Sequence, residues 1–102
     1  MNILRQNIRE INQLCASHGV KSLFAFGSVS TDHFTKESDI DLIVEFSPMG
    51  TSDYANNYFA LKFSLEKLLQ HPIDLLESQS IRNPFFKKHI ESQMRQIYGY
   101  KD

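Results

Sequence analysis

Cysteine occurs once in these 102 residues, tryptophan is missing, and there are only four glycines and three prolines. A lone Cys15 cannot close an intrachain disulfide, so packing must hold the fold, and a reducing, cytoplasmic setting is expected. Cys15 itself reads as a buried apolar contact. Glycine and proline are too scattered to form a linker or a low-complexity stretch, and no internal repeat appears. No apolar run approaches the ~18 residues that span a bilayer, and Met1-Asn2-Ile3-Leu4-Arg5 lacks a signal-peptide core. A membrane role is not expected. Neither sign of charge predominates, since eleven basic and twelve acidic residues give a net charge of −1. The basic stripe that serves general DNA or RNA binding is absent. What is present is a 41 % apolar and 12 % aromatic composition. That suits one folded domain across residues 1–102, with a single core.

Periodicity divides the chain. Leu4, Ile8, Ile11 and Cys15 recur at helical spacing, which predicts an amphipathic helix over residues 3–17, ended by Gly19. Ser22–Phe26 is a short apolar strand running into Gly27-Ser28, and a helical turn is expected to follow. Asp39–Phe46 alternates: Ile40, Leu42, Val44 and Phe46 share one face, and Asp39, Asp41, Ile43 and Glu45 share the other. Residues 47–51 read as a loop, with Ser52 or Asp53 as the cap of a helix whose stripe is Tyr58, Leu61, Leu65 and Leu68. His71-Pro72 stops that helix before a strand holding Asp74. Asn83-Pro84 reads as a cap followed by proline at the first helical position, with Phe86, Ile90 and Met94 facing inward. Gln96-Ile97-Tyr98 closes as an edge strand. The expected class is α/β (α+β), a small mixed sheet with helices packed mainly on one face.

Chemistry concentrates between residues 27 and 41. Gly27-Ser28 is followed, after ten residues, by Asp39-Ile40-Asp41. A strand leading into a Gly/Ser turn offers backbone N–H groups to phosphates. Carboxylates two residues apart on a strand point the same way, with Cα atoms roughly 6.5 Å apart. Such a pair can clasp cations held ~3.5–4 Å apart, the arrangement that serves phosphoryl and nucleotidyl transfer. Asp41 sits inside Ile40–Val44, where burial of a bare carboxylate is costly. Asp74, in Pro72-Ile73-Asp74-Leu75-Leu76, is a third candidate on a segment able to pair beside the first.

The pattern G-S-x10-D-x-D with a later aspartate resembles the minimal nucleotidyltransferases of the DNA polymerase β superfamily. Many of these pair with HEPN-domain proteins as toxin–antitoxin modules. The resemblance spans nearly the whole chain. It implies the nucleotidyltransferase fold, with Gly27 and Ser28 binding nucleotide and Asp39, Asp41 and Asp74 forming a catalytic site for two Mg²⁺ ions. It implies ATP as donor and a hydroxyl of a HEPN-type helical protein as acceptor of AMP. Asp74 would accept the attacking hydroxyl's proton. One departure stands out. Family members commonly follow Gly-Ser with an Arg-rich stretch, whereas this chain has Val29-Ser30-Thr31-Asp32. A phosphate-pairing cation is missing and an acid is added, so the alternative is a catalytically weak member that neutralises its partner sterically.

The remaining candidates are weaker. Glu45 shares the Asp41 face and reads as a solvated strand-end acid. His18, His33, His71 and His89 show no metal-ligand spacing with one another or with Cys15, so zinc is not expected. Lys36, with His33 in the same loop, stands where a substitute cation would meet phosphate. Ser28 has no His/Asp companions and reads as a phosphate ligand rather than a nucleophile. Lys87, Lys88 and Arg95 read as surface charge. Tyr54 and Met49, after the metal strand, are candidate partner contacts, and a homo-oligomer is left open.

Overall fold

The computed structural model describes residues 2–27, 38–78, 81 and 83–99, with the backbone alone at Asn2 and Phe86. Within them run α1 (Asn2–Gln6), α2 (Ile8–Ser17), β1 (Val20–Phe26), β2 (Ile40–Phe46), α3 (Thr51–Leu69), β3 (Ile73–Glu77), α4 (Pro84–Glu91) and β4 (Arg95–Tyr98). The strands form a four-stranded mixed sheet in the order β3-β2-β1-β4. β1 is antiparallel to both β2 and β4, while β2 and β3 run parallel. Parallel neighbours need a long crossover, and α3 supplies it.

The alternation read in β2 carries the packing. Ile40, Leu42, Val44 and Phe46 enter one core with Leu23 and Ala25 of β1 and with Ile73 and Leu75 of β3. Leu4, Ile11, Cys15, Leu61, Leu65 and Leu69 close that core from the helical side. Of the stripe expected for α3, Leu61 and Leu65 are buried, Tyr58 and Leu68 are partly buried, and Leu69 takes the innermost place at the helix end. The opposite face of the sheet is not bare. Ile43 is 2 % exposed and Ile90 of α4 is 3 % exposed, and the two line one cavity with Phe24. So α1, α2 and α3 cover one face, and α4 covers part of the face that carries Asp41.

Several boundaries differ from those expected. The predicted helix over 3–17 is broken at Asn7, whose side-chain amide donates to the Ile3 carbonyl at 2.9 Å. That bond competes with the backbone ladder, as short amide side chains do. Beside the break, Ile8 keeps 37 % of its surface exposed, while Leu4, Ile11 and Cys15 stay buried. Gly50, rather than Ser52 or Asp53, caps α3, and no side-chain cap bond forms there. Asn83 does cap α4, its Oδ1 accepting from the Phe85 N–H at 2.9 Å. The turn expected after Gly27 lies outside the described residues.

Candidate active site

Three segments meet at one end of the sheet. β1 arrives there, and β2 and β3 both start there. Phe26 pairs with Asp41 across the antiparallel ladder, and Asp41 pairs with Asp74 across the parallel one. Residues directly opposite in register carry their side chains on the same face. Phe26, Asp41 and Asp74 therefore form a row across three strands. Asp39 is exposed and lies one residue before β2, not inside it as the alternation suggested.

The strand starts are tied down. The Ile40 N–H donates to the Pro72 carbonyl at 2.9 Å. His71 donates through Nδ1 to the Ser38 carbonyl at 3.1 Å, which joins the residue before Asp39 to the head of β3. The Ile73 N–H donates to Glu66 of α3 at 3.2 Å. The flanks of Asp39 and Asp74 are thus held by His71 and Glu66, two positioning residues that sequence reasoning passed over. The only signal for His71 was its place just ahead of Pro72-Ile73-Asp74.

Electrostatics mark Asp41. Burial raises its carboxyl above the usual range, and the negative charges of Asp74 and then Asp39 raise it further. Among the described residues, no ion pair to Asp41 offsets this burial and repulsion. Gly27 follows β1 with φ +75, and a Cβ there would lie 2.7 Å from Asp41 Oδ2. Two constraints therefore favour glycine, the left-handed backbone and the approach of the carboxylate.

The arrangement also has a limit. Among the described residues, no three His, Cys, Asp or Glu side chains lie together as a metal-holding group. Asp39, Asp41 and Asp74 gather at one strand end close enough to interact electrostatically, without closing into a ligand cluster. Their chemistry still fits a hard divalent cation. All the donors are carboxylate oxygens, and mutual repulsion raises Asp41, a penalty that a cation would relieve. Ser28, Val29–Asp32, His33 and Lys36 lie outside the described residues.

The remaining acids and partner candidates sit elsewhere. Glu45 accepts from Ser22 Oγ at 3.3 Å and lies 3.8 Å from Lys21 Nζ, so it is a partnered strand-end acid. Tyr54 and Met49 were expected near the site but lie beyond the opposite end of β2, Tyr54 ring-to-edge on Phe46 at 5.0 Å. Five residue steps of strand, roughly 16 Å, separate Asp41 from Phe46. Cys15 is fully buried, and burial pushes its thiol up to about 12, so it is inert. No helix among the described residues is long and apolar enough to cross a membrane.

Comparison with known proteins bears on the family and the fold. The model of the nucleotidyltransferase domain family matches residues 5–97. A Methanocaldococcus jannaschii protein named "putative protein adenylyltransferase" is 41 % identical over 75 residues, 74 % of each chain. A solved "putative minimal nucleotidyltransferase" superposes with a TM-score of 0.75 at 28 % identity, covering 90 % of each chain. A solved complex of tri-AMPylated Shewanella oneidensis HEPN toxin with MNT antitoxin matches with a TM-score of 0.64 over 94 % of this chain and 72 % of that one. At 20 % identity, that last likeness shows the fold alone. By sequence and by architecture, this chain belongs to the nucleotidyltransferase domain family, in its minimal form.

Proposed function

We propose that this protein transfers AMP from ATP to a hydroxyl of a HEPN-type helical partner and so silences it as an antitoxin. The observation that carries the reading is the Asp41–Asp74 pairing in register, with Asp39 just upstream and Gly27 against the Asp41 carboxylate. A row of like charges at a strand end is what a polyphosphate with its cations would complete. The adenylyltransferase relatives support the donor and the reaction, and the AMPylated HEPN complex supports the partner class.

The roles follow from placement. Asp41, half-buried at the centre of the row, and Asp39 beside it would hold Mg²⁺ through hard oxygen donors. Bound there, Mg²⁺ would neutralise the phosphates and stabilise the departing pyrophosphate. Gly27, free of a side chain, lets the phosphates approach the backbone, with Ser28 next in the chain. Asp74 is exposed on β3, an outer strand of the sheet, so an acceptor can reach it from solvent. There it takes the proton of the attacking hydroxyl. The hydroxyl oxygen bonds to the α-phosphorus, the bond from that phosphorus to the bridging oxygen breaks, and pyrophosphate carries the electron pair away.

A steric antitoxin that binds without transferring is favoured by one feature, the Val29-Ser30-Thr31-Asp32 stretch with no arginine. Co-expression with the HEPN-type partner followed by intact-mass analysis separates the two readings. The partner should gain one or more adenylyl groups, and the gain should vanish with Asp41→Asn. A partner that is bound and inhibited but unmodified would establish the steric reading instead.

A further inference from the structure

A helix that lies on the surface of a domain turns a polar face to water, and α3 does not. At about 100° per residue, Phe59 and Phe63 stand opposite Leu61 and Leu65. The leucines are fully buried, while the two phenylalanines keep 52 % and 60 % of their surface exposed. Their rings stack, with centroids 6.2 Å and planes 26° apart, and Tyr58 meets Phe59 edge-on at 5.1 Å. The outer side of α3 therefore carries an aromatic ridge, the kind of exposed apolar patch that marks an interaction surface. Charge indicates what covers it. Asp53 in the first turn and Lys67 in the last are both exposed. Nearly four whole turns separate them, so they share one flank of the ridge. On the other flank, half-buried Lys62 is followed one turn later by half-buried Glu66.

We infer that a second copy of this chain covers the ridge, in a two-fold dimer whose α3 helices lie antiparallel. Setting Phe59 against the partner's Phe63 fixes the register. The same register leaves Asp53 about 3 Å along the axis from the partner's Lys67, and the two-fold repeats that pair at the other end. One symmetry operation thus matches rings with rings and acids with bases, as a self-complementary patch must. Antiparallel helices also set opposite macrodipole ends side by side. The HEPN-type acceptor is a poorer occupant. The ridge points away from the sheet, on the side opposite the Asp41 face, so a protein seated at the carboxylate row does not reach it. Both carboxylate rows stay open in the dimer, which needs none of the chemistry proposed above. A contact about 28 Å long and ~10–12 Å wide buries on the order of 300 Å² per copy. That is below the ~800 Å² per partner of a standard interface, so the association is transient.

Sedimentation velocity on the full chain tests this, in a concentration series reaching roughly 0.5 mM because small interfaces are weak. The chain should dimerise reversibly, and Phe63→Ser should weaken the dimer at least tenfold with an unchanged circular dichroism spectrum. Asp53→Lys and Lys67→Asp should each weaken it by roughly tenfold, since two attractive pairs become two repulsive ones. Mixing those two variants should restore association, because a mixed dimer regains both pairs. Should Phe63→Ser fail to fold, the charge variants and their mixture decide alone. A chain that stays monomeric throughout would overturn the inference. So would a dimer indifferent to a folded Phe63→Ser, or charge variants whose mixture associates no better than either alone. A monomer that loses its HEPN-type partner on Phe63→Ser would give the ridge to that partner and overturn the dimer too.

Discussion

The two ends of the sheet treat their acids in opposite ways. At the far end, Glu45 has Lys21 and Ser22 beside it, and Glu77 is hydrogen-bonded to Tyr54. The phenols respond: burial and then the Glu77 interactions raise Tyr54, and burial and then the charges of Glu77 and Asp74 raise Tyr58. Tyr58 uses its hydroxyl to donate to the Leu75 carbonyl at 2.5 Å, which pins α3 to β3. At the near end, Asp41 faces Asp74 across one ladder and feels Asp39 as well. The same two strands thus carry acids that stabilise the fold and acids that repel one another. A fold keeps mutually repelling acids when something outside the chain satisfies them. That contrast, more than any count of carboxylates, separates the candidate active site from ordinary strand-end polarity.

The largest expected effect comes from removing one of the repelling acids. Asp41→Asn should lower adenylyl transfer by on the order of 10³-fold, since a held cation supplies several kcal/mol of charge stabilisation and each ~1.4 kcal/mol is tenfold. Intact-mass kinetics on the partner would show it, and a residual rate within tenfold of the parent would remove Asp41 from the chemistry. Glu45→Gln, treated identically, should leave the rate unchanged, which sets the two ends of β2 against each other in one assay.

Gly27→Ala probes the close approach directly. The φ of +75 and a Cβ 2.7 Å from Asp41 Oδ2 should together destabilise the protein by about 1–3 kcal/mol and displace the carboxylate. Chemical denaturation would measure the loss. A variant as stable as the parent would mean that the turn relaxes.

A smaller effect of opposite sign concerns the metal-free protein. Because the folded Asp41 carboxyl is raised above its unfolded value, the folded state holds that proton more tightly. The stabilisation from that proton should therefore be fully present below the unfolded value, be lost as pH rises through the folded value, and level off above it. Asp41→Asn should remove this dependence and be the more stable protein at neutral pH without Mg²⁺. Thermal melts between pH 4 and 7 with a chelator would show the two curves converging at the acid end. A neutral-pH loss of stability in the variant would instead make Asp41 structural.

The smallest effect belongs to the far end. Lys21→Ala removes an exposed pair, whose side chains keep 57 % and 38 % of their surface. Such pairs are worth roughly 0–1 kcal/mol, screened by salt. A cost well above that in denaturant titration would make the far end as electrostatically charged with consequence as the near one.

Much of this was legible in the chain because its physics is local. Period-two alternation in Ile40–Phe46 separates the core face from the Asp41 face, and the Leu61 and Leu65 spacing marks the buried stripe of α3, although Leu69 rather than the expected Leu68 completes it. Asn83-Pro84 announces a helix start by its capping chemistry. The failures were local signals overruled by neighbours. Asn7 breaks a periodic helix by bonding backwards, and Gly50 caps α3 in place of the better-equipped Ser52 and Asp53. Asp39 sits before β2 because pairing with β3 begins at Ile40↔Ile73. Tyr54 and Met49 follow the metal strand in sequence but lie at its far end, since the chain must travel the length of β2 to reach them.

By itself the sequence determined the residue types and their spacing: a Gly-Ser turn, two aspartates on one alternation, a third on another apolar segment, and the family they mark. Side-chain period and turn chemistry depend on adjacent residues, so they can be read along a line. Only the tertiary structure decided that Asp74 stands opposite Asp41 rather than one residue away, because strand register is set by the packing of whole faces. It also decided that α4 lies over Phe24 and Ile43, turning the carboxylate face into a walled one. Contacts between segments so far apart in the chain depend on how the core closes, and no local pattern encodes that.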